Sequence, residues 1–275
     1  MDRINLARCW QMGKWRFVTQ HARMQEWPKT VAAPVSMNSL EGKRVLALIR
    51  EANYAHAGEE EAIDRVFIEL ETNPTRQVLD VGCGRGGTAD YFQRRGLGEV
   101  TGIDIDASSL AEAAQAYPTV RFVTIDVLAA TERWHAQFDL VYLFNSFYAF
   151  ADQERALRSL AEVVRNDASL YLFDYTRPTL SHHLPNTFGR PLRLDQIPTM
   201  LRRTGWQLHR IVDLTHEYRR WYRELLRRIV AAKDVIEAQF GPDWYEYVHG
   251  TYETLLWHIE NGSLGGVWIH ALRTA

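Results

Sequence analysis

Three aspartates stand at or near the ends of three successive apolar runs, and each could meet a polar group of one ligand. Asp80 lies in Gln77-Val-Leu-Asp-Val81, directly before Gly82-Cys-Gly-Arg-Gly-Gly87. Asp104 closes Val100-Thr-Gly-Ile-Asp104, and Asp126 closes Val120-Arg-Phe-Val-Thr-Ile-Asp126. The glycines let the backbone turn tightly and approach a ligand with no Cβ in the way. Gly82, Gly84 and Gly87 fit G-x-G-x-x-G, the dinucleotide pattern, which is weak in isolation. Asp80, Gly82, Gly84 and Gly86 also fit D-x-G-x-G-x-G. Asp80 separates the two: a carboxylate there repels a pyrophosphate at close range and suits a cationic group. Asp104 follows Gly82 by about 20 residues, where an acid can accept hydrogen bonds from both hydroxyls of a ribose.

Holding these acids on one edge requires a parallel sheet whose strands end together. Val78, Leu79 and Val81 read as a short buried strand, and Ala89, Phe92 and Leu97 as the helix after it. A helix over Ala107 to Ala116, capped by Asp106, separates the second and third strands. Phe138 to Phe144 is a fourth strand, residues 152 to 165 an amphipathic helix, and Ser169 to Phe173 a fifth strand after an Asn166-Asp-Ala168 turn. Trp206 to Val212 and residues 266 to 273 supply a sixth and a seventh. Ahead of the sheet, Ser39 caps a helix with Leu40, Val45, Leu46 and Ile49, and a second helix is expected over Glu59 to Glu71. A long insertion precedes the last strand. Its helices are expected over Thr215 to Phe240, stopped by Gly241-Pro242, and over Asp243 to Glu260. Their aromatic stripes suit either core packing or a cover over a substrate.

With its strand, glycine turn and helix, D-x-G-x-G-x-G closely resembles the first motif of class I S-adenosylmethionine (SAM) methyltransferases. The resemblance covers about residues 38 to 275. It implies a Rossmann-like, doubly wound α/β fold with seven strands, the last antiparallel, N-terminal cap helices and a helical insertion before the last strand. It also implies SAM as cofactor, with Asp80, Gly82 and Gly84 at its amino-acid end and Asp104 on the ribose. Ile105 would pack on adenine, Asp126 accept from the adenine amino group, Val127 touch the ring edge and Asn145 lie near the sulfonium. Asn53-Tyr-Ala-His-Ala-Gly58 loosely resembles the capping loop of phosphoethanolamine- and sarcosine-type methyltransferases. On that match Tyr54 is a lid over the methyl group and His56 its neighbour; otherwise the segment is a helix–helix turn with Tyr54 packed and His56 solvated. Asn145-Ser-Phe-Tyr148 lacks the two prolines of N-P-P-Y, which turns the expectation away from DNA-base or protein-glutamine substrates. Strand five ends in Asp174-Tyr175, as in many small-molecule N-methyltransferases. Candidates for contact with the acceptor, or for its base, are therefore Tyr54, His56, Tyr148 and Tyr175.

Composition sets the outer limits. The 275 residues carry 46% hydrophobic side chains and a net charge of −2, which suits one sizeable core and argues against a dedicated nucleic-acid binder. Two cysteines exclude a disulfide framework and a cysteine zinc cluster. The adjacent His182 and His183 lack a nearby ligand set, so no metal is expected. No apolar run approaches a membrane span, and a cytoplasmic setting is the expectation. Residues 1 to 36 hold six basic side chains against two acidic ones; they read as a non-catalytic extension of a methyltransferase domain over 37 to 275. The expected activity is methyl transfer from SAM to a small-molecule acceptor, first an amine. O- or C-methylation of a phenol, terpenoid or quinone precursor is the alternative. Outside that class stand an NAD-dependent oxidoreductase using the same glycines and a non-catalytic RNA-binding module of the same fold. The oligomeric state is not legible.

Overall fold

The computed structural model describes residues 36–178 and 184–274. The basic stretch at the start of the chain and the His182-His183 pair lie outside the described residues. In chain order the elements are α1 (Leu40–Arg50), α2 (Glu59–Val66), β1 (Gln77–Val81), α3 (Gly87–Arg94), β2 (Glu99–Asp104), α4 (Ala107–Ala116) and β3 (Arg121–Thr124). Then follow β4 (Phe138–Phe144), α5 (Gln153–Val163), β5 (Val164–Thr176), α6 (Ile197–Arg203) and β6 (Trp206–Asp213). The last are α7 (Thr215–Ala231), α8 (Lys233–Phe240), α9 (Pro242–Glu260) and β7 (Gly265–Arg273).

The strands form one seven-stranded sheet in the order β3-β2-β1-β4-β5-β7-β6, and β7 runs antiparallel to both neighbours. The expected Rossmann-like architecture is the one found. β1 pairs with β2 on one side and β4 on the other, both parallel. Chain direction across the sheet reverses between them, so a crevice opens at their carboxyl ends.

Side-chain alternation along the central strands builds two different faces. Leu140, Tyr142 and Phe144 of β4 point to one side with Tyr171, Phe173 and Tyr175 of β5, and α1, α2, α3, α7 and α9 pack there. Val141, Leu143, Leu170 and Leu172 point to the other, against α5 and α6. The aromatic face is thus the face that the helical insertion covers. Within the described residues no helix is long and apolar enough to cross a membrane.

Local chemistry sets the boundaries. Ser39 caps α1 by accepting from the Gly42 amide at 3.1 Å, and Asp152 caps α5 by accepting from the Arg155 amide at 2.9 Å. Four expectations change. The second helix stops at Val66, because Phe67 leaves it to place its ring 4.8 Å from Phe92, 5.6 Å from Tyr142 and 4.9 Å from Tyr171. Asp126 lies beyond β3, as the cap of a 3₁₀ turn over Val127–Glu132. The turn before the fifth strand is absorbed as an irregularity: β5 starts at Val164, the register slips between Phe138 and Leu140, and Asp167 takes φ +62°. The single helix over 215 to 240 breaks at Ala232 (φ −90°, ψ 7°), after which Lys233 sits over the Tyr245 ring of α9 at 4.9 Å.

Phe67 therefore bonds α2 to the aromatic face through packing alone. Phe67→Ala should lower the unfolding free energy by about 3–5 kcal/mol in urea titrations. A loss below about 1 kcal/mol would show that the ring does not hold this layer together.

Candidate active site

The carboxyl ends of β1, β2 and β4 and the turn after β3 enclose a cleft of about 670 Å³. All eight residues expected at the cofactor line it: Asp80, Gly82, Gly84, Asp104, Ile105, Asp126, Val127 and Asn145. Gly82 has φ +75°, and a Cβ there would stand 2.5 Å from the Ser146 Cβ, so only glycine fits. Ser146 in turn donates to the Val81 carbonyl at 2.7 Å, which draws the loop after β4 onto the end of β1. At the start of α3, a Cβ on Gly87 would meet the Asn53 carbonyl at 2.6 Å. That close approach lets the 53–58 loop lie against the glycine turn.

Asp104 is held from two sides: its Oδ2 accepts from the Gly84 amide and its Oδ1 from the Asp106 amide, both at 2.9 Å. Asp126 accepts from the Leu128 amide at 2.9 Å. Ile105 leaves 74% of its surface exposed beside the cleft, an uncovered apolar side chain suited to packing on an aromatic ring. Asn145 has φ +49°, a strained conformation that asparagine tolerates better than most side chains. Its carboxamide lies 3.2 Å from the Tyr218 hydroxyl, and its Oδ1 accepts from the Ala57 amide at 3.2 Å. Asn145 thereby joins the 53–58 loop to the insertion.

Asp80 carries the electrostatics. It is 2% exposed, and burial pushes its carboxyl up to about 8; the Tyr142 hydroxyl pulls it partly back, while Asp104 pushes it further. Neither Asp80 Oδ2 nor the Tyr142 hydroxyl completes a hydrogen bond of full geometry within the protein. A buried acid in that condition is stabilised by a cation or donor that arrives from the cleft. The ammonium and sulfonium of SAM meet that requirement, and a pyrophosphate does not. Together with the paired oxygens of Asp104 and the bare Ile105, the lining fits SAM.

The four acceptor-side candidates separate. His56 lines the cleft, fully enclosed, and burial lowers its imidazole to about 3. Its Nδ1 lies 3.0 Å from the Ala57 carbonyl and must carry the proton there; Nε2 then accepts from the Thr88 hydroxyl at 3.0 Å. With both nitrogens engaged, His56 positions the loop on α3 and is not a free base. Tyr54 points the other way. Its hydroxyl donates to Glu60 at 3.1 Å, and it lines a separate cavity with Arg50 and Trp221, so in this structure it does not lie over the methyl site. Tyr148 lines both the cofactor cleft and a second cavity of about 310 Å³, where Tyr175 joins it at 5.1 Å between ring centres. Burial raises both phenols well above their ordinary range, so both stay protonated near neutrality. Asp174 is fully buried and pushed up by desolvation to about 7. It accepts from the Tyr148 and Tyr175 amides at 3.1 and 2.7 Å and fixes both tyrosines from behind.

Several site residues escape the motifs. Lys43 of α1 lines the cleft, and Tyr247 and Tyr252 of α9 wall the second cavity. Tyr222 of α7 hydrogen-bonds the Tyr175 hydroxyl. Only the helical spacing of the aromatics in the insertion hinted at the last three. Among the described residues no cluster of His, Cys, Asp and Glu is arranged to hold a metal.

Residues 78–167 match the family model described as "Methyltransferase domain". The O-methyltransferase resE of Aspergillus sclerotiorum is 27% identical over 56% of this chain and 63% of its own length. Phosphoethanolamine N-methyltransferase 3 of Arabidopsis thaliana is 22% identical over 70% of this chain and 41% of its own. The chain spans less than two thirds of the length of these curated relatives. In fold it is similar to phosphoethanolamine N-methyltransferase 2 of Haemonchus contortus, solved with phosphomonomethylethanolamine and S-adenosylhomocysteine. The TM-score is 0.76 at 18% identity, over 88% of this chain and 61% of that one. Residues 78–167 thus match a methyltransferase domain, the fold is similar to that of solved SAM-dependent methyltransferases, and the lining of the cleft fits SAM as the cofactor.

An Asp80 carboxyl titrating near 8 in the free protein is mostly protonated at pH 7 and must ionise to meet a cation. Binding of S-adenosylhomocysteine at pH 7 should therefore release a proton from this site, and affinity should rise as pH increases toward 8. Calorimetry in buffers of different ionisation enthalpy reads that proton directly. In Asp80→Asn the release should vanish and affinity should fall by about tenfold or more. Equal proton release in wild type and variant would remove Asp80 from the cofactor.

Proposed function

We propose that this methyltransferase domain N-methylates a small, unphosphorylated amine, seated in the tyrosine-walled cavity beside the cofactor cleft. The observation that carries the reading is the cavity itself. It adjoins the cleft at Asn38, Tyr148 and Ala149, and its other walls include Tyr175, Phe188, Tyr247 and Tyr252. No Lys or Arg occurs among its described lining residues, so it offers no cation for a phosphate. Aromatic faces attract ammonium and alkylammonium groups by about 0.5–2 kcal/mol each. The Asp174 carboxyl behind Tyr148 and Tyr175 holds both residues in place through their amides.

The bound sulfonium supplies an electrophilic methyl group. The protein's contribution is then mainly to hold a nucleophile in line and exclude water. An amine drawn in as its ammonium ion must first give one proton to water and then attacks through its freed lone pair. A phenol must lose a proton as it attacks, and the side chains here are poor bases: His56 has both nitrogens engaged, and Tyr148 and Tyr175 hold their protons. The cation-attracting rings of the cavity, not a resident base, favour nitrogen over oxygen. The assignments of Asp80, Asp104 and Asp126 to SAM, and of α7 to α9 as the substrate cover of a domain over 37 to 275, belong to the same proposal.

A panel of small amines, phenols and prenyl compounds, scored by enzyme-dependent S-adenosylhomocysteine release, should give turnover with amines. Mass spectrometry should place the added methyl on nitrogen. Tyr252→Ala should then raise the KM for the amine by about 2–30-fold while leaving affinity for S-adenosylhomocysteine unchanged. A product methylated on oxygen or carbon, with every amine inert, would refute the amine while keeping the methyltransferase.

A further inference from the structure

Five aspartates line the cofactor cleft (Asp80, Asp104, Asp106, Asp126 and Asp152) against one cationic side chain among the described residues, that of Lys43. Lys43 comes from α1, outside the sheet. Its Nζ donates to Asp106 Oδ2 at 3.2 Å and to Ser109 Oγ at 2.9 Å, and it lies 4.0 Å from Asp104 Oδ2. Its stem crosses the glycine turn: a Cβ on Gly84 would stand 3.9 Å from Lys43 Cε, an ordinary packing distance. The next residue, Arg44, donates through Nε to Glu112 at 2.8 Å, and Arg85 meets the other Glu112 oxygen at 2.9 Å. Two consecutive residues of α1 thus fasten it to α4 across the glycine turn.

We infer that Lys43 is a cofactor-positioning residue, which keeps the Asp104 carboxylate aimed by offsetting the charge of the Asp104–Asp106 pair and strapping α1 over that end of the cleft. The Asp106 amide already binds Asp104 Oδ1, so the two carboxylates are fixed close together. Without a cation between them, like-charge repulsion in a largely buried site swings one carboxylate away. That movement disturbs the group that would meet the ribose hydroxyls. An alternative role, pairing with the carboxylate of the cofactor's amino-acid end, is disfavoured by where the ammonium rests: on Asp106 and Ser109. The inference takes Asp104 as the ribose carboxylate and holds whichever acceptor is methylated.

Two ligands separate these roles, because 5′-methylthioadenosine keeps the adenosine and lacks the amino-acid end of S-adenosylhomocysteine. By calorimetry on the full chain, Lys43→Met, which keeps the stem and loses the charge, should weaken both ligands about tenfold. Lys43→Arg should stay within about threefold of wild type. Raising salt from about 0.05 M to about 1 M should draw wild-type affinity toward that of Lys43→Met, which itself should respond little. A Lys43→Met protein that binds 5′-methylthioadenosine as wild type does would overturn the inference, whether or not S-adenosylhomocysteine binding weakens. Asp104→Asn serves as the reference and should lose affinity for both ligands. Were it silent, the ribose assignment itself would fall, and the inference with it.

Discussion

A carboxylate buried at the end of a central strand, with one oxygen lacking a partner, is the constraint around which this domain is arranged. Asp80 lies between β2 and β4, under the first glycine turn, where water cannot solvate its charge. Burial pushes that carboxyl up to about 8, and a cation arriving from the cleft would offset the cost of its charge. The groups near it shape the cleft at that point. Gly82 lets the chain turn at once, Ser146 closes the loop from β4 onto the turn, and Asn145 ties that loop to the segment above. The pocket is a polar defect in an otherwise apolar sheet, held open for one kind of guest.

The acceptor side follows a different logic. Alternation along β4 and β5 sends their large aromatics to one face, and the insertion covers that face with aromatics of its own. The cavity left between the layers is walled by phenol rings and edges, and burial keeps the Tyr148 and Tyr175 hydroxyls protonated. Tyr175 and Tyr222 share a hydrogen bond, and the Tyr222 ring stacks on Tyr252 at 5.8 Å. Such a site recognises by shape and by the electrostatics of ring faces, which suits a substrate that brings its own nucleophile.

Most of the lining of the cleft was legible in the sequence because its information is local. A strand end, a tight turn and a helix start are encoded within a dozen residues or so, and the acids sit at fixed offsets from them. The strand count, the antiparallel last strand and the aromatic insertion were legible for similar reasons of period and punctuation. What the sequence did not reveal depends on contacts between distant segments. Tyr54 and His56 are two residues apart in an irregular loop, yet one faces a separate cavity and the other the cleft; no periodicity settles that. Lys43 reads as one polar position on an amphipathic helix until the fold brings it to Asp106. Ala232 is a good helix former, and nothing local marks it as the break between α7 and α8.

On the proposed reading, the cofactor's reacting end opens onto the tyrosine-walled cavity. A crystal structure with S-adenosylhomocysteine bound would show whether it does. The sulfur is expected at the junction by Tyr148, the amino group on Asp80 and the ribose hydroxyls on Asp104. A sulfur that faces bulk solvent, or is walled off from the cavity formed by Tyr148, Tyr175 and Tyr252, would contradict it.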